Sequence, residues 1–205
     1  MPVSEIVKLL VASNRPLFHI GNGVRPCAEE FFALIEYLQI PFVTARNAND
    51  LCASDHPFYV GRPGTFAQRG ANFAVQSCDL YIAIGTRLSL AQTGYNSMDY
   101  ARGAQIIQVN ISQPELDKGT LRNPVNLCMD AAVFLRELAG YWEYLSGCEW
   151  NAWVQRCRSW RERYPVVLPE YREQKDSVIS YVLIDALSEL CDENDTIVTD
   201  MGFSF

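Results

Sequence analysis

Short continuous apolar runs alternate along the chain with stretches whose apolar residues return every three or four positions. Pro16-Leu17-Phe18-His19-Ile20, Pro41-Phe42-Val43-Thr44, Asp79-Leu80-Tyr81-Ile82-Ala83-Ile84 and Gln105-Ile106-Ile107-Gln108-Val109-Asn110 read as buried strands, and Val125-Asn126-Leu127-Cys128 as a weaker one. The helical period appears between them. It runs from Ser4 to Ala12, with Ser4 as the cap and Glu5 in the first turn, and from Pro26 through Leu38, with Glu29 and Glu30 near the positive end of the dipole. It returns over Thr65 to Ser77 and Asp130 to Ala139, while residues 45–64 read as a loop rich in Asn, Asp, Pro and Gly. Continuous apolar strands alternating with helices predict an α/β fold, a parallel sheet of about six strands flanked by helices on both faces.

After residue 140 the texture changes. Residues 141–175 carry Trp142, Trp150, Trp153 and Trp160 among several arginines, then Pro165 and Pro169, and read as a linker. Part of it predicts a helix with Trp150, Trp153, Val154, Cys157 and Trp160 on one face, packing on neighbouring surface. Ser177 to Leu190 is helical in period, and Ile197-Val198 predicts the start of a strand running into Gly202. A strand followed by so little chain cannot complete a sheet, so the expectation is a fragment: one α/β domain over 1–140, a linker over 141–175, and an incomplete α/β start over 176–205.

Charge narrows the partners. The 205 residues hold 24 acids against 17 bases, a formal net charge of -7, without a Lys/Arg-rich run. That argues against nucleic acid and against an anionic membrane surface, both of which need clustered positive charge. The longest apolar stretch, Val3 to Ala12, is interrupted by Glu5 and Lys8 and falls short of the ~20 residues of a membrane span. The N-terminus lacks the basic start and apolar run of a secretory signal, and the seven cysteines are dispersed without a Cys-x-x-Cys pair. A cytoplasmic protein with reduced core thiols is expected.

Candidate chemistry lies in three glycine turns. Parallel sheets bind ligands at the carboxyl ends of their strands, and Gly21-Asn22-Gly23, Gly61-Arg62-Pro63-Gly64 and Gly85-Thr86-Arg87 are turns of that kind. Each has two readings, glycines needed for a tight turn or a backbone cradle for an anionic ligand. Arg87 follows a strand end and could pair with a phosphate, as could Arg62 and Arg69 beside a helix start. Gly-x-Gly-x-x-Pro is one glycine short of the dinucleotide fingerprint, and no acid closes the second strand. His19, inside an apolar strand, reads as a satisfied core histidine, and His56 has no metal or triad pattern around it.

As a set, Gly21-Asn22-Gly23-Val24-Arg25, Gly61-Arg62-Pro63-Gly64-Thr65, Arg69-Gly70-Ala71-Asn72-Phe73-Ala74, Asp79 through Leu88 and Gln108-Val109-Asn110-Ile111 resemble the Rossmann-like central domain of thiamine-diphosphate-dependent enzymes, closest to the acetolactate synthase large-subunit group. Asp195 through Gly202 resembles the entry to that family's third domain, which holds thiamine diphosphate and Mg2+. The resemblance implies a parent enzyme that decarboxylates a 2-oxo acid such as pyruvate and joins the product to a second carbonyl, assembled as a homo-oligomer. It also implies that the activating glutamate and the magnesium motif lie outside these residues, so that catalytic and metal-binding residues are absent here and the chain alone is inactive. In the acetolactate synthase branch the central domain binds FAD. The resemblance then places Gly21, Asn22 and Gly23 at the adenosine, Gly61 and Gly64 on the flavin side, Gly85 and Arg87 at the ribose or diphosphate, and Gly202, Phe203 and Ser204 at the thiamine diphosphate. Flavin-binding relatives carry Met-His where this chain has Arg62-Pro63, and Phe-Asp-Asp where it has Leu88-Ser89-Leu90. A stand-alone nucleotide-binding or scaffolding module without catalysis is the other reading.

Overall fold

A computed structural model describes residues 1–192 and 194–198. The chain divides into two compact units, Met1–Arg163 and the residues from Tyr164 on. The first contains six strands: β1 (Pro16–Ile20), β2 (Phe42–Thr44), β3 (Tyr59–Gly61), β4 (Leu80–Ile84), β5 (Gln105–Asn110) and β6 (Val125–Cys128). All pairings are parallel, in the order β3-β2-β1-β4-β5-β6. From β1 the chain builds outward one way through β2 and β3, then returns to lay β4, β5 and β6 on the other side. The order therefore reverses between β1 and β4, and the carboxyl ends of those two strands flank a crevice.

Helices α1 (Val3–Ala12), α2 (Ala28–Leu38) and α6 (Ala131–Ala139) cover one face; α3 (Arg69–Ser77) and α8 (Asn151–Arg163) cover the other. Short helices α4 (Leu90–Thr93), α5 (Gln113–Leu116) and α7 (Trp142–Leu145) lie between. Side chains alternate across the sheet, and both faces are apolar. Phe18, Ile20, Ile82 and Ile84 enter the core with Phe31, Ile35 and Phe134, while Leu17, Tyr81 and Ala83 enter the opposite core with Ala71, Ala74 and Trp153. This double burial is why the strands read as continuous apolar runs. Of the face expected on α8, Trp153, Val154 and Cys157 are buried and Trp160 packs beside them, whereas Trp150 precedes the helix and enters the opposite core; the indole N–H groups of Trp150 and Trp153 donate to the carbonyls of Ser13 and Pro16, each at 2.9 Å.

Several local expectations are corrected. The sixth strand of the sheet is β3, inside the predicted loop 45–64; it is three residues long and paired with β2 through an irregular register. Ser4 is not a cap, because α1 starts at Val3 and the carbonyl of Pro2 accepts the first bond, from Glu5 at 3.1 Å. Asn22–Cys27 forms tight 3-10 turns around Pro26, so α2 begins at Ala28, with Glu29 and Glu30 in its first turn. The helix expected from Thr65 begins at Arg69, since residues 62–68 are held in a loop by Arg62 N–H donating to Gln68 Oε1 at 2.7 Å. The second unit holds α9 (Pro169–Arg172) and α10 (Ser180–Leu190), joined by an Arg172–Asp185 ion pair and by stacked Tyr171 and Tyr181. Ile197 and Val198 form no strand; both are exposed, and a strand needs a partner to exist.

Candidate functional site

The glycine turns after β1 and β4 meet at the sheet's crevice. Gly21 N–H donates to Ile84 O at 2.9 Å and Gly23 N–H to Gly85 O at 3.0 Å, so the turn after β1 is stitched to the end of β4. A Cβ at Gly21 would lie 2.5 Å from Thr86 Cα, and one at Gly23 would lie 2.8 Å from Gly85 Cα. Gly85, at φ +59, would put its own Cβ 2.7 Å from Gly23 Cα. These glycines are therefore required by one another. Asn22 turns its Oδ1 to Arg25 Nε at 3.0 Å, and Arg25 pairs with Asp50 at 2.8 Å. Each partner stabilises the charged form of the other, raising the Arg25 pKa and lowering that of Asp50.

The turn after β3 is braced in the same way. Gly64 N–H donates to Asn72 Oδ1 at 2.9 Å, the Asn72 amide returns a bond to Gly64 O at 3.0 Å, and Thr65 N–H donates to Ala91 O on α4 at 2.8 Å. The space beside Gly61 is filled by the Gln68 side chain. Arg62 is exposed and Arg69 opens α3. Arg87 stands at the rim with its guanidinium on Glu115, at 2.8 and 3.1 Å, and Lys118 holds the other carboxylate oxygen. Those hydrogen bonds push the Glu115 carboxyl below its ordinary range and raise the Arg87 pKa. The structure thus brings Gly21, Asn22, Gly23, Gly85 and Arg87 to one edge of the sheet, with Gly61 and Gly64 on the β3 loop.

Beneath the crevice lies a polar chain that the sequence reading missed. His19 is fully buried; its Nδ1 bonds Tyr81 Oη, which meets Tyr100 Oη at 3.1 Å, and its Nε2 meets Gln92 Nε2 at 3.1 Å. Gln92 Oε1 accepts from Ser89 N–H at 3.2 Å and from Thr86 Oγ1 at 3.4 Å. Burial drives the His19 pKa down to about 3 and pushes the Tyr81 phenol well up. His19 is thus the satisfied core histidine expected. The available signal for Gln92 was the spacing Ser89-x-x-Gln92, a capping box at the start of α4. His56 packs among Phe32, Phe42 and Phe58, and burial lowers its pKa.

A dinucleotide needs free backbone N–H groups for its diphosphate. The N–H groups of Gly21, Gly23, Gly64, Thr65 and Gly85 all donate to protein acceptors, that of Gly85 to Val109 O at 2.9 Å. Arg87 is engaged by an acid. These five N–H groups and the Arg87 guanidinium are therefore engaged within the protein in this arrangement. Gly202, Phe203 and Ser204, assigned by resemblance to thiamine diphosphate, lie outside the described residues. Among the described residues no cluster of three or more His, Cys, Asp or Glu could hold a metal ion, and no helix is long and apolar enough to cross a membrane.

Comparison with known proteins agrees with this architecture. The chain is 28% identical to the acetolactate synthase large subunit of Cyanidium caldarium, with 98% of this chain and 34% of that protein aligned. It is 28% identical to the probable acetolactate synthase large subunit of Methanocaldococcus jannaschii, over 98% of this chain and 35% of the relative. Against the acetolactate synthase isozyme 1 large subunit of Escherichia coli K12 the identity is 27%, over 98% and 34%. The chain spans about a third of the length of these curated relatives. Residues 3–138 match the model of the thiamine pyrophosphate enzyme central domain, and the chain belongs to that family.

Proposed function

We propose that this chain supplies the central part of a thiamine-diphosphate-dependent enzyme that decarboxylates a 2-oxo acid such as pyruvate and carries out carboligation. Residues 1–140 form the central domain in this reading, 141–175 a linker, and 176–205 the start of the domain that holds thiamine diphosphate with Mg2+. A homo-oligomeric assembly and a cytoplasmic location belong to the same proposal. The observation that carries it is the reach of the alignments. They run through 98% of the chain, well past the central-domain match that ends at residue 138. The arrangement at the crevice supports a scaffold role for the central domain, since the N–H groups of Gly21, Gly23, Gly64 and Gly85 all bond to protein.

The test is pyruvate consumption with thiamine diphosphate and Mg2+ added. The 205-residue chain alone is expected to show no turnover. A protein extended by an upstream domain carrying a glutamate and by a downstream domain carrying a Gly-Asp-Gly to Asn motif is expected to consume pyruvate. Turnover by the short chain would overturn the assignment of catalysis to the flanking domains, and silence of the extended protein toward 2-oxo acids would overturn the reaction class.

A further inference from the structure

We propose that Gln92 and the one-turn helix α4 fill the position over the crevice that a dinucleotide would take, so that this central domain is closed by its own chain and works without FAD. Geometry at the sheet edge carries this closure, whatever the reaction and wherever the thiamine site.

Three strand ends converge on α4. The turn after β4 delivers it, through a buried Leu88 held at φ +46, left-handed backbone that disfavours a side chain of that size. The loop after β3 is fastened to it by Thr65 N–H on Ala91 O, and a Cβ on Gly64 would lie 2.5 Å from that same carbonyl. The end of β1 is fastened to it by Gln92 on His19. Nothing can pass between the β3 loop and α4 without parting the Thr65–Ala91 bond.

The Gln92 amide has a defined orientation. Because the N–H of Ser89 is a donor, the atom facing it must be the amide oxygen, which leaves the amide nitrogen to donate to His19 Nε2. His19 then carries its proton on Nδ1 and donates to Tyr81, whose hydroxyl meets that of Tyr100. One half-buried amide therefore sets the polarity of a chain reaching into the core. Among the described residues no buried side-chain nitrogen or oxygen lacks a partner. A ligand that displaced Gln92 would take away the donor that satisfies Nε2 of the buried His19, which is costly inside a protein unless replaced. The stitched Gly21, Gly23 and Gly85 turns leave no room to recede.

The experiment titrates the 205-residue chain with FAD and with ADP, following flavin fluorescence and thermal unfolding, and records the 15N resonances of the His19 ring. The wild-type chain is expected to show no saturable binding up to about 1 mM and no rise in Tm. The ring should show Nδ1 protonated throughout neutral pH. Gln92→Ala is expected to lower Tm by several degrees and shift the His19 Nε2 resonance, with Leu90→Ala, exposed on the same helix, moving neither. Saturable FAD binding with a raised Tm would overturn the proposal. So would unchanged His19 resonances in Gln92→Ala. Wild-type titration alone decides the matter if the variant fails to fold. Thiamine diphosphate with Mg2+, titrated in parallel, reports on the proposed function and leaves this result untouched.

Discussion

Replacing Gly85 by alanine probes the stitched crevice directly. The new Cβ would sit 2.7 Å from Gly23 Cα and 2.9 Å from Gly23 C, both backbone atoms that cannot swing aside. Two costs add. A side chain at φ +59 costs about 1–2 kcal/mol, and overpacking against fixed backbone costs about 1–3 kcal/mol more, for a total of about 2–5 kcal/mol. Gly119→Ala is the control, because Gly119 has φ +63 with nothing within 4 Å of its Cβ position. Only the conformational cost applies there, about 1–2 kcal/mol. Urea unfolding followed by tryptophan fluorescence suits the measurement, since Trp150 and Trp153 are buried in the same unit. For a chain of this size the Gly85 variant should lose roughly 4–20 °C in Tm and the control roughly 2–8 °C. Equal losses in the two variants would refute the claim that the turns after β1 and β4 are packed against each other.

Acid should weaken the fold through His19. Its folded-state pKa of about 3 lies below the ordinary 6.5, so the folded chain keeps it neutral while the unfolded chain takes up a proton. Its contribution is complete above about pH 6.5 and is lost as pH falls toward about 3, by at most about 5 kcal/mol. Urea midpoints between about pH 7 and pH 4 should fall, and His19→Gln should flatten the decline; an equally steep decline in the variant contradicts this assignment. Trp153→Ala should cost about 3–5 kcal/mol by emptying the core between the sheet and α8, whereas exposed Trp142→Ala should cost under about 1 kcal/mol. Matching losses in a denaturant titration would mean that α8 does not belong to that core.

The long strands were legible because parallel strands buried on both faces carry unbroken apolar runs, as Leu80 to Ile84 do. Strand β3 was not, since Tyr59, Val60 and Gly61 sit between Pro57 and Pro63 and gain their conformation from pairing with β2. The glycine turns were legible as turns, but their purpose was hidden. Gly23 and Gly85 are far apart in sequence, and nothing local shows that each occupies the space the other's side chain would need. Gln92 was missed for the same reason: its role comes from His19, 73 residues away. The tryptophan face of α8 could be read because helical periodicity alone brings Trp153, Val154 and Cys157 together.

The measurement that tests the central claim most directly is the nucleotide sequence on both sides of these 205 codons. An uninterrupted reading frame, with a glutamate-bearing domain upstream and a Gly-Asp-Gly to Asn motif downstream, is the result the account predicts. Stop codons immediately flanking the 205 codons would contradict it, and the chain would then act as a scaffolding module in its own right.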